Sequence, residues 1–241
     1  MQNTPDQRRA FFTKVFTENL WDSRESASGQ GSEKWICRNL VAEMPEMFRA
    51  LNVQSILDVP CGDFNWMQDV INQSGIAYIG GDIVPDLILR NTQAYGAKAV
   101  SFKEIDIVED DLPRVDMIFV RDLFIHMSLD LISKALANIA RSEAKYLMLT
   151  HDSCETRYPP EGNIELHEGN AEMMPDGVSF QYRPLNMTVA PFHLPQPIYM
   201  IFEGFELWDG FKTMSVWTIE QLREALGADL QRATLGTERP D

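Results

Sequence analysis

Acidic residues recur in this sequence where short apolar runs end. Asp58 follows Ile56-Leu57, Asp82 follows Tyr78-Ile79-Gly80-Gly81, and Asp106 follows Ile105. Arg121-Asp122 follows Ile118-Phe119-Val120, and His151-Asp152 follows Leu147-Met148-Leu149. Carboxylates in such places accept hydrogen bonds from hydroxyls and amines, and they attract cations. After Asp58 comes a tight turn, Pro60-Cys61-Gly62, then Asp63 and an amphipathic stretch from Phe64 to Ile71. That is strand, turn and helix, with a ligand crevice at the turn.

The turn discriminates between ligands. A pyrophosphate needs close backbone approach, hence G-x-G-x-x-G at a helix N-terminus. Here only Gly62 is glycine, and Asp58 and Asp63 add negative charge. A ligand with no phosphate fits better, its ammonium held by carboxylates and its own carboxylate by helix amides. S-adenosyl-L-methionine has that combination. Asp82, twenty residues beyond Gly62, is placed to accept from two ribose hydroxyls, and Asp106 from the adenine amino group. The Ile107 amide is placed to donate to a ring nitrogen, with Ile83 on the adenine face. Trp66 either caps the methionine end or packs its helix.

For transfer chemistry the candidates are Asp122, His126 and His151, with Arg121 beside them. Either histidine is the expected base and Asp122 the group that orients acceptor or base; a hydroxyl acceptor gains about 10²–10⁴ from a base. The plainer readings are a structural Arg121–Asp122 pair and a satisfied histidine at 126. His167 and His193 lie in a loop, where packing is the expectation. Asp122, His151 and Asp152 are potential metal ligands, but no tight ligand spacing supports a metal, and none is assigned.

These groups need a scaffold. Strands are expected at 54–58, 77–82, 100–105, 115–120 and 145–150, with helices at about 64–73, 85–95 and 129–141 between them. Alternating apolar strands and amphipathic helices imply a parallel sheet covered on both faces. Right-handed crossovers then bring the acidic strand ends to one edge. Upstream, Asp6–Leu20 reads as an amphipathic helix, followed by Trp21 and a small polar stretch at 22–32; its Ser/Gly part, 26–32, is either a disordered connector or, with Trp21 and the next helix anchoring its ends, the expected lid, with Ser28 facing the ligand. Ser32 is the expected N-cap of the next helix, and Pro45 its break. Residues 153–197 are rich in proline and are expected to form a substrate-facing insertion. Ile198–Phe202 and Phe211–Thr218 form a closing antiparallel pair, and Thr218 opens a helix through a capping box with Gln221. The expected divisions are a helical lid segment at 1–52, a main domain at 53–232 and a tail at 233–241.

The bulk numbers narrow the partners. With 241 residues, 44% hydrophobic, the chain suits one large domain. A net charge of -15 argues against nucleic acid and anionic lipid, which need a basic face. Three widely spaced cysteines imply no disulfide framework. No signal peptide or apolar run of spanning length is apparent, so a cytoplasmic location is expected. Oligomeric state leaves no mark in the sequence.

Ile56-Leu-Asp-Val-Pro-Cys-Gly-Asp63, Tyr78-Ile-Gly-Gly-Asp-Ile83, Glu104-Ile-Asp-Ile107 and Asp116-Met-Ile-Phe-Val-Arg-Asp-Leu-Phe-Ile-His126 resemble the successive motifs of class I S-adenosylmethionine-dependent methyltransferases. The resemblance runs from about residue 54 to 151. It implies a Rossmann-like, seven-stranded sheet of order 3-2-1-4-5-7-6 with the seventh strand antiparallel. It places Asp58 and Gly62 at the methionine end, Asp82 at the ribose and Asp106 at the adenine. Pro60 and Phe64 replace glycines common in the family. The flanks, Trp21 with 25–32, Arg183-Pro-Leu-Asn186 and Lys212–Trp217, resemble an uncharacterised branch associated with glycan modification. The expected activity is methyl transfer to a hydroxyl of a small molecule or sugar. The alternatives are an NAD-dependent sugar oxidoreductase or epimerase, which the missing glycines disfavour, and a non-catalytic scaffold.

Overall fold

The chain, described by a computed structural model over residues 4–166, 171–173, 179–206 and 210–235, is built on a mixed sheet. Five parallel strands form its core: β1 Ser55–Asp58, β2 Ala77–Asp82, β3 Val100–Glu104, β4 Met117–Val120 and β5 Tyr146–Asp152. β6 Ala171–Met173 and β7 Ser179–Gln181 pair as a separate hairpin. β8 Tyr199–Phe202 and β9 Lys212–Thr218 complete the main sheet, ordered β3-β2-β1-β4-β5-β9-β8. β9 runs antiparallel to both neighbours. Counted along the sheet, this is the expected order 3-2-1-4-5-7-6.

Helices α1 Pro5–Glu18, α2 Arg38–Ala50, α3 Met67–Ser74, α4 Pro85–Tyr95, α5 Leu129–Arg141 and α6 Ile219–Leu235 surround it. Strand side chains alternate between two cores. Ile118, Val120, Leu147 and Leu149 meet Ile132, Leu136 and Leu222 of α5 and α6. Met117, Phe119 and Met148 meet Met44, Phe48, Met67 and Val70 of α2 and α3. Both faces are dry, so central strands such as β4 are buried at every position. The capping box at Thr218 forms, with Gln221 N–H donating to Thr218 Oγ1 and Thr218 N–H to Gln221 Oε1.

Three boundaries differ from expectation. Pro45 does not break α2, which runs through it. Leu40, Met44, Met47 and Phe48 bury one face against the sheet, and that burial outweighs one missing hydrogen bond. Ser32 closes a short 3₁₀ turn, Gln30–Ser32, instead of capping α2, which starts only after Cys37. The intervening chain is drawn back onto the preceding segment, where Lys34 N–H donates to Glu25 Oε1 at 2.7 Å. The helix expected from Phe64 starts at Met67, because Phe64 has φ 59. Its ring is held 4.7 Å from Tyr78 and 5.3 Å from Phe102.

In the expected insertion, the described residues Leu185, Met187, Phe192 and Leu194 are buried in the α5/α6-side core. His167 lies outside the described residues.

Candidate functional site

The turn after β1 is built around Gly62. Its φ is +53, in the left-handed region that favours glycine. Its N–H donates to Asp82 Oδ2 at 3.2 Å and its carbonyl accepts from Asn91 Nδ2 at 2.7 Å. A Cβ added here would lie 2.0 Å from Ser28 Oγ. The segment 23–32 therefore lies on the turn as a strap. Asp63 holds it there, accepting from Ser26 Oγ at 2.9 Å and from the Ala27 N–H at 2.7 Å, while its own N–H donates to Ser28 Oγ. Asn65 Nδ2 adds Glu25 Oε1 and the Ser32 carbonyl. The expectation that Asp63 faces the ligand is corrected: its carboxylate faces the strap.

Strap, α1 and strand ends wall an open-mouthed cavity of about 120 Å³. Trp21, Ser28, Asp58, Pro60, Cys61, Gly62, Trp66, Asp82, Ile83, Asp106, Ile107, Arg121 and Asp122 all line it. Tyr78 donates to Asp58 Oδ2 at 2.7 Å, and burial nevertheless pushes the Asp58 carboxyl up to about 8. Burial also raises Asp82, to about 6, against the Val84 and Gly62 amides that favour its charged form. Asp106 is engaged differently. Arg8 donates to its Oδ2 from Nε at 3.1 Å and Nη2 at 2.5 Å, and the Val108 N–H occupies Oδ1. Asp106 thus reaches the cavity as half of an ion pair, which changes the expectation of a carboxylate open to an adenine amino group.

The raised Asp58 gives a pH prediction. The folded state binds the Asp58 proton more tightly than the unfolded chain, so stability falls as pH rises from about 4 to about 8, by ~1.4 kcal/mol per unit. His151 is pushed down to about 4 by burial, and its opposite slope ends near its ordinary 6.5. Asp82 has lost its slope by about 6. The Asp58 contribution is therefore read between about pH 6.5 and 8 as the difference between wild type and Asp58→Asn. Urea titrations across that window should show stability falling more steeply with pH in the wild type than in Asp58→Asn; equal slopes would refute the assignment.

At the end of β4 lies a buried charge cluster. Glu203 Oε2 accepts from Arg121 Nε at 3.1 Å and Nη2 at 2.6 Å, with Lys212 Nζ at 3.4 Å. Lys212 Nζ also donates to Asp122 Oδ2 at 2.6 Å, and Arg121 Nη1 lies 3.2 Å from the same oxygen. Asp122 has φ 54 and is pinned by Thr150, whose Oγ1 accepts from the Asp122 N–H at 2.8 Å. Burial alone would raise its carboxyl, but Arg121 and Lys212 outweigh it and hold Asp122 well below the usual range. Arg121 Nη2 reaches the Gly31 carbonyl at 2.8 Å, joining this cluster to the strap.

No family model matches the chain, and no curated protein matches it. Solved structures do. Over 85% of this chain and 98% of the other, it superposes on the N-methyltransferase NodS from Bradyrhizobium japonicum in complex with S-adenosyl-L-homocysteine, with TM-score 0.56 and 12% identity. Over 89% and 96%, it superposes on magnesium protoporphyrin IX methyltransferase (ChlM) from Synechocystis with bound SAM, with TM-score 0.54 and 13% identity. The chain has the class I methyltransferase fold.

In this methyltransferase fold the cavity sits at the carboxyl edge of the parallel strands, beside the β1 turn. Two expected catalytic residues do not line it. His151 is corrected outright. Alternation along β5 turns it with Leu147 and Leu149 to the α5/α6 side, where it meets Trp217 edge-on at 5.5 Å and its Nδ1 accepts from the Met187 N–H. His126 stands behind the cavity wall, stacked on Trp21 at 6.0 Å. Asp152 is occupied by Arg157, Tyr158 and the Cys154 N–H. Among the described residues no group of three His, Cys, Asp or Glu is arranged to hold a metal.

Several lining residues were missed, chiefly Arg8, Phe12, Val15 and Phe16 of α1. The signal was present: positions 8, 12, 15 and 16 fall on one helical stripe. An arginine on an apolar stripe needs a buried partner. Glu203 and Lys212, far apart from Arg121 in sequence, carried no such local mark.

Proposed function

We propose that this chain transfers a methyl group from S-adenosylmethionine to an acceptor hydroxyl on a small molecule or sugar. The observation that carries the reading is the charge pattern of the cavity. Asp106 is balanced by Arg8 and Asp122 by Arg121 and Lys212, whereas Asp58 and Asp82 have no basic partner within 4.0 Å among the described residues. Two buried acids without a basic partner suit a cationic ligand with hydroxyls, whose charge would favour their ionised forms, and disfavour a diphosphate. The Gly62 amide, which a phosphate would require, is already donated to Asp82. That pattern also disfavours the NAD reading, and NodS and ChlM, solved with SAH and SAM, support the same cofactor.

Asp82 would hold the ribose hydroxyls, Ile83 and Ile107 the faces of the base, and Asp58 with the Gly62 turn the amino-acid end. Bound there, the cofactor supplies a methyl carbon activated by its sulfonium, and the chain supplies position and dryness. Asp122 stays ionised near neutrality, so it orients a donor group on the acceptor and is a poor base. His126 stands behind Trp21, so the transfer rests on positioning by Asp122 and not on a base in the cavity wall. The charged pair Arg121 and Asp122 in the cavity wall speaks against a bare scaffold. The three free cysteines fit a reducing, cytoplasmic setting, and no described helix is long and apolar enough to cross a membrane.

Calorimetry should show saturable binding of S-adenosylmethionine, weakened about 10- to 100-fold in Asp82→Ala, as expected for hydrogen bonds to a charged group. Binding of NAD in its place would overturn the function; unchanged affinity in the variant would overturn the ribose placement.

A further inference from the structure

We propose that Arg8 is a further residue of the ligand site, a latch by which α1 closes the cavity at Asp106; the proposal rests on the S-adenosylmethionine reading. Arg8 is 3% exposed. Besides its two bonds to Asp106, its Nη2 lies 3.6 Å from Glu109 Oε1. The same helix lays Phe12, Val15 and Phe16 on the cavity. α1 and the strap are two walls of the cavity, so the position of each sets how wide its mouth stands to a ligand bound against Ile83 and Ile107.

The two covers are held differently. The strap is stitched to the body by the Asp63 bonds to Ser26, Ala27 and Ser28, by Asn65, and by Arg121 on Gly31. α1 is tied through charges, Arg8 to Asp106 and Arg9 to Glu104 at 2.5 Å, with Phe12 against the core. Val15 and Leu20 pack with Phe11 and Trp21 in a small cluster separate from the two main ones. An element with its own cluster and ionic ties opens as a unit more readily than a loop fastened by a network of buried hydrogen bonds. α1 is therefore the cover that lifts and the strap the one that stays. Closed, Arg8 and Asp106 neutralise each other; open, water solvates each separately. The pair sets the open fraction, and with it both entry and exit of the ligand.

Stopped-flow binding of S-adenosylhomocysteine, followed by the emission of Trp21 and Trp66 in the cavity wall, tests this. Arg8→Met should raise both association and dissociation rates about tenfold, equivalent to ~1.4 kcal/mol. Arg8→Lys should fall between it and the wild type. Asn65→Ala, which loosens the strap, should leave both rates within about twofold. A purely structural Arg8 would speed dissociation alone. An unchanged association rate in Arg8→Met, or acceleration by Asn65→Ala in its place, overturns the latch. If Arg8→Met fails to fold, Arg8→Met with Asp106→Asn leaves no unpaired carboxylate and replaces it. Hydrogen exchange without ligand is the second readout: loss of Arg8 should speed exchange over 5–18 and spare 23–32. If the wild type binds no S-adenosylhomocysteine, the cofactor reading fails and exchange alone decides the latch, unchanged exchange over 5–18 refuting it.

Discussion

Gly62→Ala will bind S-adenosylmethionine about a hundredfold more weakly than the wild type, while still folding. Two costs combine at this residue. The left-handed φ of +53 costs an alanine ~1–2 kcal/mol. The new Cβ would also sit 2.0 Å from Ser28 Oγ and 3.0 Å from Ser28 Cβ, and such overpacking costs about 1–3 kcal/mol. Relief requires the strap to lift from Asp63. Ala27, Ser28 and Ser32 then leave the cavity wall, so the penalty falls on ligand binding more than on the sheet. Adding Ser28→Gly removes the colliding atoms and should recover part of the affinity, leaving the backbone cost. Calorimetry on both variants checks this, and a single variant that binds like the wild type would show that the strap does not shape the site.

Arg121→Ala should lower unfolding free energy by roughly 3–5 kcal/mol, because it leaves Glu203 buried without its main partner. Lys212 cannot compensate fully, being already 2.6 Å from Asp122. Adding Glu203→Ala should restore much of the loss, since the remaining Lys212–Asp122 pair is electrically balanced. Arg49→Ala is the control: its partner Glu46 is exposed, and the change should stay within about 0.5 kcal/mol. Urea titration measures all three. If Arg121→Ala proves as mild as Arg49→Ala, the cluster is hydrated and not a buried anchor. Loss of the Arg121 bond to Gly31 should also loosen the strap, so exchange over 23–32 should rise in Arg121→Ala.

Much of the site was legible because it follows from position along strands. Asp58 and Asp82 end their strands and Asp106 follows the third, and parallel pairing carries such ends to one edge whatever the details of packing. Asp63 and His151 were misplaced because one residue of phase decides which way a side chain faces, and polarity alone does not set it. Asp63 is turned by Ser26 and Ala27 from another segment, and His151 by strand alternation toward Trp217. Pro45 misled for a similar reason: local propensity argues for a break, and a buried helix face overrules it.

By itself, the sequence determined the alternation of strands and helices, the sheet order through the motifs it resembles, and the acidic strand edge beside a single-glycine turn. Those features rest on local periodicity and chain connectivity. The tertiary structure alone decided that the strap fills the space above Gly62, that Arg8 shares Asp106, and that Arg121, Asp122, Glu203 and Lys212 form one buried cluster. The bonds that carry them, Ser28 to Asp63, Arg8 to Asp106, Arg121 to Glu203 and Lys212 to Asp122, join residues between 35 and 98 positions apart. No local pattern encodes such pairings; they follow from which surfaces meet when the layers close.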